Sequence, residues 1–310
     1  MTAADPKRGA NAGAVAGEEP TGVAAGAAGG TLYVVATPIG NLGDVTLRAL
    51  EILRGVPLIA AEDTRHTRRL LERHAVTTRT TSYHAQSDAA RETALLDHLR
   101  GGADLALVTD AGTPAISDPG GDRVAAWAAE GGTVVPIPGA SAVLAAVAAS
   151  GLAGPRWSFE GFLPRSGRER NARLGRIADD ERGTVVYEAP SRVAATLRDL
   201  ASACGADRPA AVCRELTKLH ETIVRGSLGE LAEAAAAGRI PARGEFALVV
   251  GAWPGGRPVS VEAGIDALEA ARAEVERLVA SGTARGEAAR RVAASTGLSR
   301  RQLYGAGRVR

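Results

Sequence analysis

Short apolar runs recur along the first half of the chain, and three of them give way to loops of Gly, Pro and small polar residues. Leu32–Ala36 leads into Thr37-Pro38-Ile39-Gly40-Asn41-Leu42-Gly43-Asp44. Leu105–Val108 leads into Thr109–Gly120, and Thr133–Ile137 leads into Pro138-Gly139-Ala140-Ser141-Ala142. Runs this short, bounded by turn signals and joined through helical stretches, predict buried parallel strands. The Asp63–His74 segment predicts a helix with Asp63 or Thr64 as its N-cap. Further along, Thr184–Tyr187, Ala210–Cys213 and Phe246–Val250 are predicted as strands, and the pattern turns helical from Val261. There, Gly286–Ala294, a turn at Ser295–Leu298 and Ser299–Tyr304 predict a helix–turn–helix with Ser299 as N-cap.

These elements predict an α/β fold of two α/β domains with a C-terminal helical extension. Residues 1–30 are Ala/Gly-rich without periodicity and read as a disordered tail. Residues 31–154 form the first domain, ending in the linker Gly151-Leu152-Ala153-Gly154-Pro155. Residues 155–254 form the second, and 255–310 the helical extension. A length of 310 residues accommodates two domains. Only 3% of residues are aromatic against 45% hydrophobic, so the cores must be built from Ala, Val and Leu.

Function classes are narrowed by what is missing. There is no apolar run of membrane-spanning length and no apolar signal core, which predicts a cytoplasmic protein without membrane partners. Cys204 and Cys213 are the only cysteines and read as buried thiols rather than a disulfide or zinc site. Net charge is +2, so any polyanion must be met by a local patch. Arg165, Arg168, Arg170, Arg173 and Arg176 face a single acid, Glu169, and Arg65, Arg68, Arg69 and Arg73 surround the Asp63–His74 helix. Arg290, Arg291, Arg300, Arg301, Arg308 and Arg310 make the tail basic. Lys7 and Lys218 are the only lysines, so part of this Arg abundance is compositional bias, and solvated helix faces are the competing explanation.

The loops themselves restrict the ligand. None contains the Gly-Lys-Ser/Thr of a phosphate-gripping loop, and Gly40 with Gly43 falls short of the G-x-G-x-x-G dinucleotide spacing. None carries Lys or Arg. Close-approaching backbone without positive charge suits a ligand lacking phosphates, such as S-adenosyl-L-methionine (SAM), whose sulfonium is itself a cation. Plain tight turns account for one such loop. Three in one α/β register favour a ligand site at the strand ends.

At this point the chain resembles a known family. Ala36–Asp44, Glu62-Asp63-Thr64-Arg65, Asp110-Ala111-Gly112-Thr113-Pro114 with Ile116-Ser117-Asp118-Pro119-Gly120, and Pro138–Ala142 are similar to the signature of the 16S rRNA cytidine 2′-O-methyltransferases. These belong to the tetrapyrrole methylase superfamily, and the resemblance runs from about Leu32 to Ala252. It implies SAM as methyl donor, no metal, a homodimer, and 16S rRNA or the small ribosomal subunit as partner. Pro38, Gly40, Asp44, Gly112, Thr113, Ile116, Ser117, Pro138, Gly139 and Ser141 are the implied SAM-binding residues of the first domain. Tyr187-Glu188-Ala189-Pro190-Ser191-Arg192 and Gly244-Glu245-Phe246-Ala247 add Glu188, Ala189, Phe246 and Ala247 from the second. Arg65, Arg68, Arg165, Arg168 and Arg173 are the candidate RNA contacts.

Methylating a ribose hydroxyl calls for alignment and a general base. The candidates are Asp63, His84, Glu188, Glu215, Lys218 and His220, with Asp63, His84 and Lys218 preferred. Helix capping is the alternative role for Asp63. His84 stands in Ser82-Tyr83-His84-Ala85-Gln86-Ser87, where related proteins often show His-x-His-Asn, so only the first His is kept. Lys218 lies in Arg214-Glu215-Leu216-Thr217-Lys218, which resembles a family segment. A small-molecule tetrapyrrole methylase, a non-catalytic RNA-binding module and a nicotinamide-dependent oxidoreductase are the competing readings. The basic stretches, the intact loops and the incomplete fingerprint count against them in turn.

Overall fold

Strands and helices alternate from the first described residues. In chain order they are β1 (Thr31–Val35), α1 (Leu47–Gly55), β2 (Leu58–Ala61), α2 (Thr64–Arg73), β3 (Thr80–Ser82), α3 (Ala89–Arg100), β4 (Leu105–Val108), α4 (Gly121–Ala129) and β5 (Thr133–Ile137). These are followed by α5 (Ala142–Ser150), β6 (Trp157–Phe162), α6 (Gly167–Asp179), β7 (Gly183–Glu188), α7 (Val193–Cys204), β8 (Pro209–Arg214), β9 (Thr222–Ser227), α8 (Leu228–Ala236) and β10 (Phe246–Val250). Two helices, α9 (Val261–Ala280) and α10 (Arg285–Thr296), close the series. The computed structural model describes residues 29–83, 89–253, 261–296 and 303. The N-terminal tail expected through residue 30 lies almost wholly outside them, and His84 and most of the expected Ser299–Tyr304 helix lie outside them too.

The chain divides into two compact units, Met1–Ala142 and Val143–Arg310. The division falls ahead of the Gly151–Pro155 segment, because α5 is held by the second unit's own residues. Arg225 on β9 donates from Nε to the Ser150 carbonyl at 3.0 Å and from its terminal nitrogen to the Ala149 carbonyl.

The first unit carries one all-parallel sheet in the order β3-β2-β4-β1-β5. Its inner strands β2 and β4 bury both faces, as the centre of a parallel sheet must. Alternate residues Ile59, Ala61, Ala106 and Val108 join Ala49, Leu50 and Leu53 of α1 and Leu71 of α2. The intervening Ala60, Leu105 and Leu107 join Leu95 and Leu99 of α3 and Trp127 of α4. Period-2 alternation thus assigns one helical layer to each face.

The second sheet runs β6-β7-β10-β8-β9, with β6 and β7 parallel and the remaining pairs antiparallel. Leu174 and Ile177 of α6, Leu197 and Leu200 of α7 and Leu228 and Leu231 of α8 pack against Val186, Val212 and Leu248. Residues Ala271, Val275, Ala288, Ala289 and Val292 of α9 and α10 form a separate small core with Leu303.

A buried guanidinium ties this unit together. Arg208 is 1% exposed and donates to four carbonyls, those of Gly251, Ile177, Asp180 and Arg182, each at 3.0 Å. One rigid fork therefore satisfies the end of α6, the turn after it and the residue following β10. Replacing Arg208 by Met leaves those acceptors without donors, at about 1–3 kcal/mol for each that water cannot reach. Urea unfolding of Arg208→Met is expected to show a loss of at least about 3 kcal/mol. A change under about 1 kcal/mol would mean that the carbonyls find water instead.

Candidate active site

In the first sheet β1 and β4 are neighbours, yet β1 connects toward β2 on one side and β4 toward β5 on the other. Connections that leave in opposite directions mark the carboxyl end of a parallel sheet as its ligand-binding edge. Here the two loops are joined by backbone. The Thr37 N–H donates to the Gly112 carbonyl at 2.8 Å, and the Gly112 N–H donates to the Thr37 carbonyl at 3.0 Å. The Thr37 hydroxyl, 4% exposed, donates to the Thr109 carbonyl at 3.1 Å. Thr113 extends the link to the third loop through the Ala140 carbonyl at 3.4 Å.

Glycine is required where the loops crowd. A Cβ on Gly139 would stand 2.9 Å from the Ala36 Cβ, so only glycine lets the loop after β5 lie against the end of β1. The loop after β4 has positive φ at Gly112 (80°), Ala115 (70°), Ser117 (64°) and Gly120 (124°). Ala115 and Ser117 are not glycine, so that backbone is strained, as functional loops often are. The structure thus ties together the three loops that carry Pro38, Gly40, Gly112, Thr113, Pro138, Gly139 and Ser141. Ile116, Ser117 and Asp44 are exposed on the same loops, Asp44 in a 3-10 turn capped by Asn41.

Carboxylates gather at this edge. Asp63 donates its backbone N–H to Asp110 Oδ1 at 3.0 Å, and Asp110 donates its own to Glu62 Oε2 at 3.4 Å. Tyr83, fully buried, donates its hydroxyl to the Pro119 carbonyl at 3.2 Å beside Asp118. The Arg123 guanidinium stacks 4.7 Å from the Tyr83 ring centre and reaches Glu92 at 3.7 Å. Burial pushes the Asp118 carboxyl up to about 7, helped by the charges of Glu62 and Asp110. Burial likewise raises Glu62, against the Asp110 N–H that favours its charged form. Glu62, Asp110 and Asp118 all stand inside the family-like motifs, yet none was among the candidate bases read from the sequence. Each follows a strand by one or two residues or sits in its loop, which is the signal that points to them.

Asp63 is different. It caps α2 by accepting the Arg65 N–H at 2.8 Å, and its carboxylate pairs with the Arg65 guanidinium at 2.8 Å. That side chain, with the capping N–H, holds the carboxyl at about 2, so it is a weak proton acceptor.

In the second unit Phe246 pairs with Glu188 and Ala247 with Tyr187 on adjacent strands. Glu188 is 2% exposed. It accepts from the Thr196 hydroxyl at 2.6 Å and the Ala189 N–H at 2.9 Å, and pairs with Arg192 Nε at 3.2 Å. Lys218 Nζ lies 3.0 Å from both Glu215 and Glu245. Burial works against the ammonium, but the two carboxylates outweigh it and raise its pKa, so Lys218 is protonated at neutral pH. Glu215 and Thr217 hold positive φ of 52° and 67°, so this turn too is strained.

The α6 arginines sort differently from their sequence. Arg170 is 6% exposed and donates to Asp199 Oδ2 at 2.7 Å, the Thr196 hydroxyl and the Pro164 carbonyl. Arg173 pairs with Glu169 at 3.3 Å and Glu160 at 3.7 Å. Asp199 and Glu160 come from α7 and β6, so apart from Glu169 the acid partners of these cations lie outside the stretch in which one acid faces five arginines. Arg165 and Arg168 are exposed and outside any ion pair among the described residues.

A family model described as Tetrapyrrole (Corrin/Porphyrin) Methylases matches residues 31–232. The ribosomal RNA small subunit methyltransferase I of Synechocystis sp. is 49% identical over 276 residues, covering 89% of this chain and 96% of that protein. The cobalamin biosynthetic cobalt precorrin-4 methyltransferase has the same fold, with TM-score 0.57 and 19% identity over 71% of this chain and 94% of that one. So has the uroporphyrin-III C-methyl transferase of Thermus thermophilus complexed with S-adenyl homocysteine, with TM-score 0.52 and 21% identity over 72% of this chain and 97% of that one.

The raised Asp118 pKa has a thermodynamic consequence. Folding favours the protonated carboxyl, so the stability it confers is full below its ordinary value of 3.8 and is lost as pH rises through about 7. Asp118→Asn keeps a neutral side chain at every pH. Its melting temperature is expected to match wild type near pH 4 and to exceed it at pH 8. A difference that does not change with pH would show that Asp118 ionises normally.

Proposed function

The chain belongs to the tetrapyrrole methylase family, beside relatives named ribosomal RNA small subunit methyltransferase I, and on that premise we propose a SAM-dependent 16S rRNA methyltransferase. The acceptor we propose is the ribose 2′-hydroxyl of the decoding-centre cytidine 1402. The observation that carries this reading is the joined group of three strand-end loops, free of Lys and Arg and flanked by carboxylates. That edge fits a donor that is a cation at sulfur and has no phosphate, and it would repel a nucleotide's phosphates.

Pro38, Gly40, Gly112, Thr113, Ile116, Ser117, Pro138, Gly139 and Ser141 would hold SAM, which when bound supplies an electrophilic methyl carbon. The chain's own residues supply alignment and take up a proton. Alignment comes from loops held against one another by backbone bonds, so little reorganisation accompanies the reaction. A ribose hydroxyl gives up its proton most readily to a base whose pKa lies near the working pH. Asp63 is held too acidic, Lys218 is protonated, and the Glu188 oxygens are engaged inside their own unit. Asp118, with Glu62 and Asp110 maintaining its proton affinity, is the acceptor we propose.

Incubating the protein with SAM and small-subunit rRNA is expected to give one nucleotide that resists alkaline cleavage, because the attacking 2′-hydroxyl is capped. A methyl found only on a base, or transfer to a tetrapyrrole and not to RNA, would reject the reading.

The proton assignment is tested separately in single turnovers. Asp118→Asn is expected to slow methyl transfer by roughly 10²–10⁴ with SAM binding intact, which is the usual contribution of a general base. Asp63→Asn keeps a capping oxygen and is expected to stay near wild type. The reverse pattern would return the role to Asp63.

A further inference from the structure

On α10 and α6 most of the arginines reach acids. On α10, Arg285 pairs with Glu276 at 2.7 Å, and Arg290 and Arg291 both reach Glu287. On α6, Arg170, Arg173 and Arg176 all reach carboxylates. Helix α2 is the exception. Arg68, Arg69 and Arg73 are exposed and belong to no ion pair among the described residues, and no other described helix carries three such arginines. Glu72 is the only acid on the helix.

Their arrangement is regular. Thr67, Leu70 and Leu71 are the buried side of α2, so the arginines share the opposite side. Arg65, Arg69 and Arg73 recur every fourth residue, placing guanidinium groups along one stripe at intervals of about 6 Å. Arg68 lies beside that stripe. Arg65 is taken by Asp63, but Arg54 adds a guanidinium at the far end by donating to the His74 carbonyl at 2.9 Å. The helix also has a fixed relation to the loop edge, since the Asp63 N–H is bonded to Asp110 at its start. A row of uncompensated cations, adjoining an edge where carboxylates collect, separates the charge a polyanion needs from the charge a sulfonium needs.

We infer that the Arg68–Arg69–Arg73 face of α2 is the surface on which the first unit grips the sugar–phosphate backbone of its RNA. This rests on the rRNA-methyltransferase reading for the identity of the substrate. Contact with phosphates positions a strand without reading its sequence, so α2 supplies grip and register while the loop edge supplies chemistry.

The test compares wild type, R68A/R69A/R73A and R68K/R69K/R73K in binding protein-free 16S rRNA between about 50 and about 200 mM salt. Ala and Lys are both good helix formers, so α2 is expected to persist in each. The Ala variant is expected to bind more weakly, with a log–log salt slope shallower by about 2, at about 0.7 for each single-strand phosphate it no longer neutralises. S-adenosylhomocysteine affinity should be unchanged. The Lys variant should keep the wild-type slope, because exposed phosphates are held by charge. R290A/R291A, on the internally paired α10, should also keep it. A wild-type slope in the Ala variant, or loss of slope in R290A/R291A alone, would overturn the assignment. Wild-type protein that binds this RNA but transfers no methyl to it or to the small subunit would sink the rRNA-methyltransferase reading, and the slopes would still decide the α2 face.

Discussion

The reciprocal backbone pair between Thr37 and Gly112 is the constraint on which the site depends. Two loops leave neighbouring strands in opposite directions, and without a tie each would be free to follow its own helix. Two hydrogen bonds of 2.8 and 3.0 Å, reinforced by the buried Thr37 hydroxyl, make one rigid body of them. Thr113 and the absent Cβ of Gly139 then draw in the third loop. The strained φ values at Ala115 and Ser117 persist because these surrounding contacts over-determine the backbone.

Once the loops are joined, their acids are forced together. Asp110 and Asp118 share the loop after β4, Glu62 follows β2, and no Lys or Arg in the three loops offsets them. Tyr83, with Arg123 stacked on its ring, bonds the Pro119 carbonyl next to Asp118, and burial raises the proton affinity of Asp118 and Glu62. A donor that brings its own positive charge complements such an edge. Asp63, one residue from Glu62, escapes this environment because the start of α2 and Arg65 stabilise its charge. Adjacent carboxylates thereby acquire opposite proton affinities, a pattern suited to dividing structural from chemical roles.

Arginine does three different jobs in this chain. Arg208 is a buried donor that satisfies carbonyls at element ends. Arg170 joins α6 to α7 through Asp199 and Thr196. Arg68, Arg69 and Arg73 of α2 face solvent outside any ion pair among the described residues. Composition treats all three alike, so counting arginines exaggerates α6 and undervalues α2.

Periodicity was enough for much of the architecture. The runs at Leu32, Leu105, Thr133, Thr184, Ala210 and Phe246 became β1, β4, β5, β7, β8 and β10, and Asp63 became the cap of α2. Strands buried on both faces are apolar throughout, and caps are set by local chemistry, so both can be read along the chain. Four strands were not legible. β2 has four residues, two of them alanine, and β3 is three polar residues at an edge. β6 is interrupted by an irregularity between Phe159 and Gly161, and β9 is an edge strand with Arg and Gly in it. The loop motifs were also visible in the sequence, as was the absence of cations in them. Their union was not, because it depends on pairing Thr37 with a residue seventy-five positions away. Nor were the partners of Arg170 and Arg173, or the proton affinity of Asp118. Charge pairing and desolvation depend on which groups the fold brings within a few ångströms, and that distance is set by tertiary packing alone.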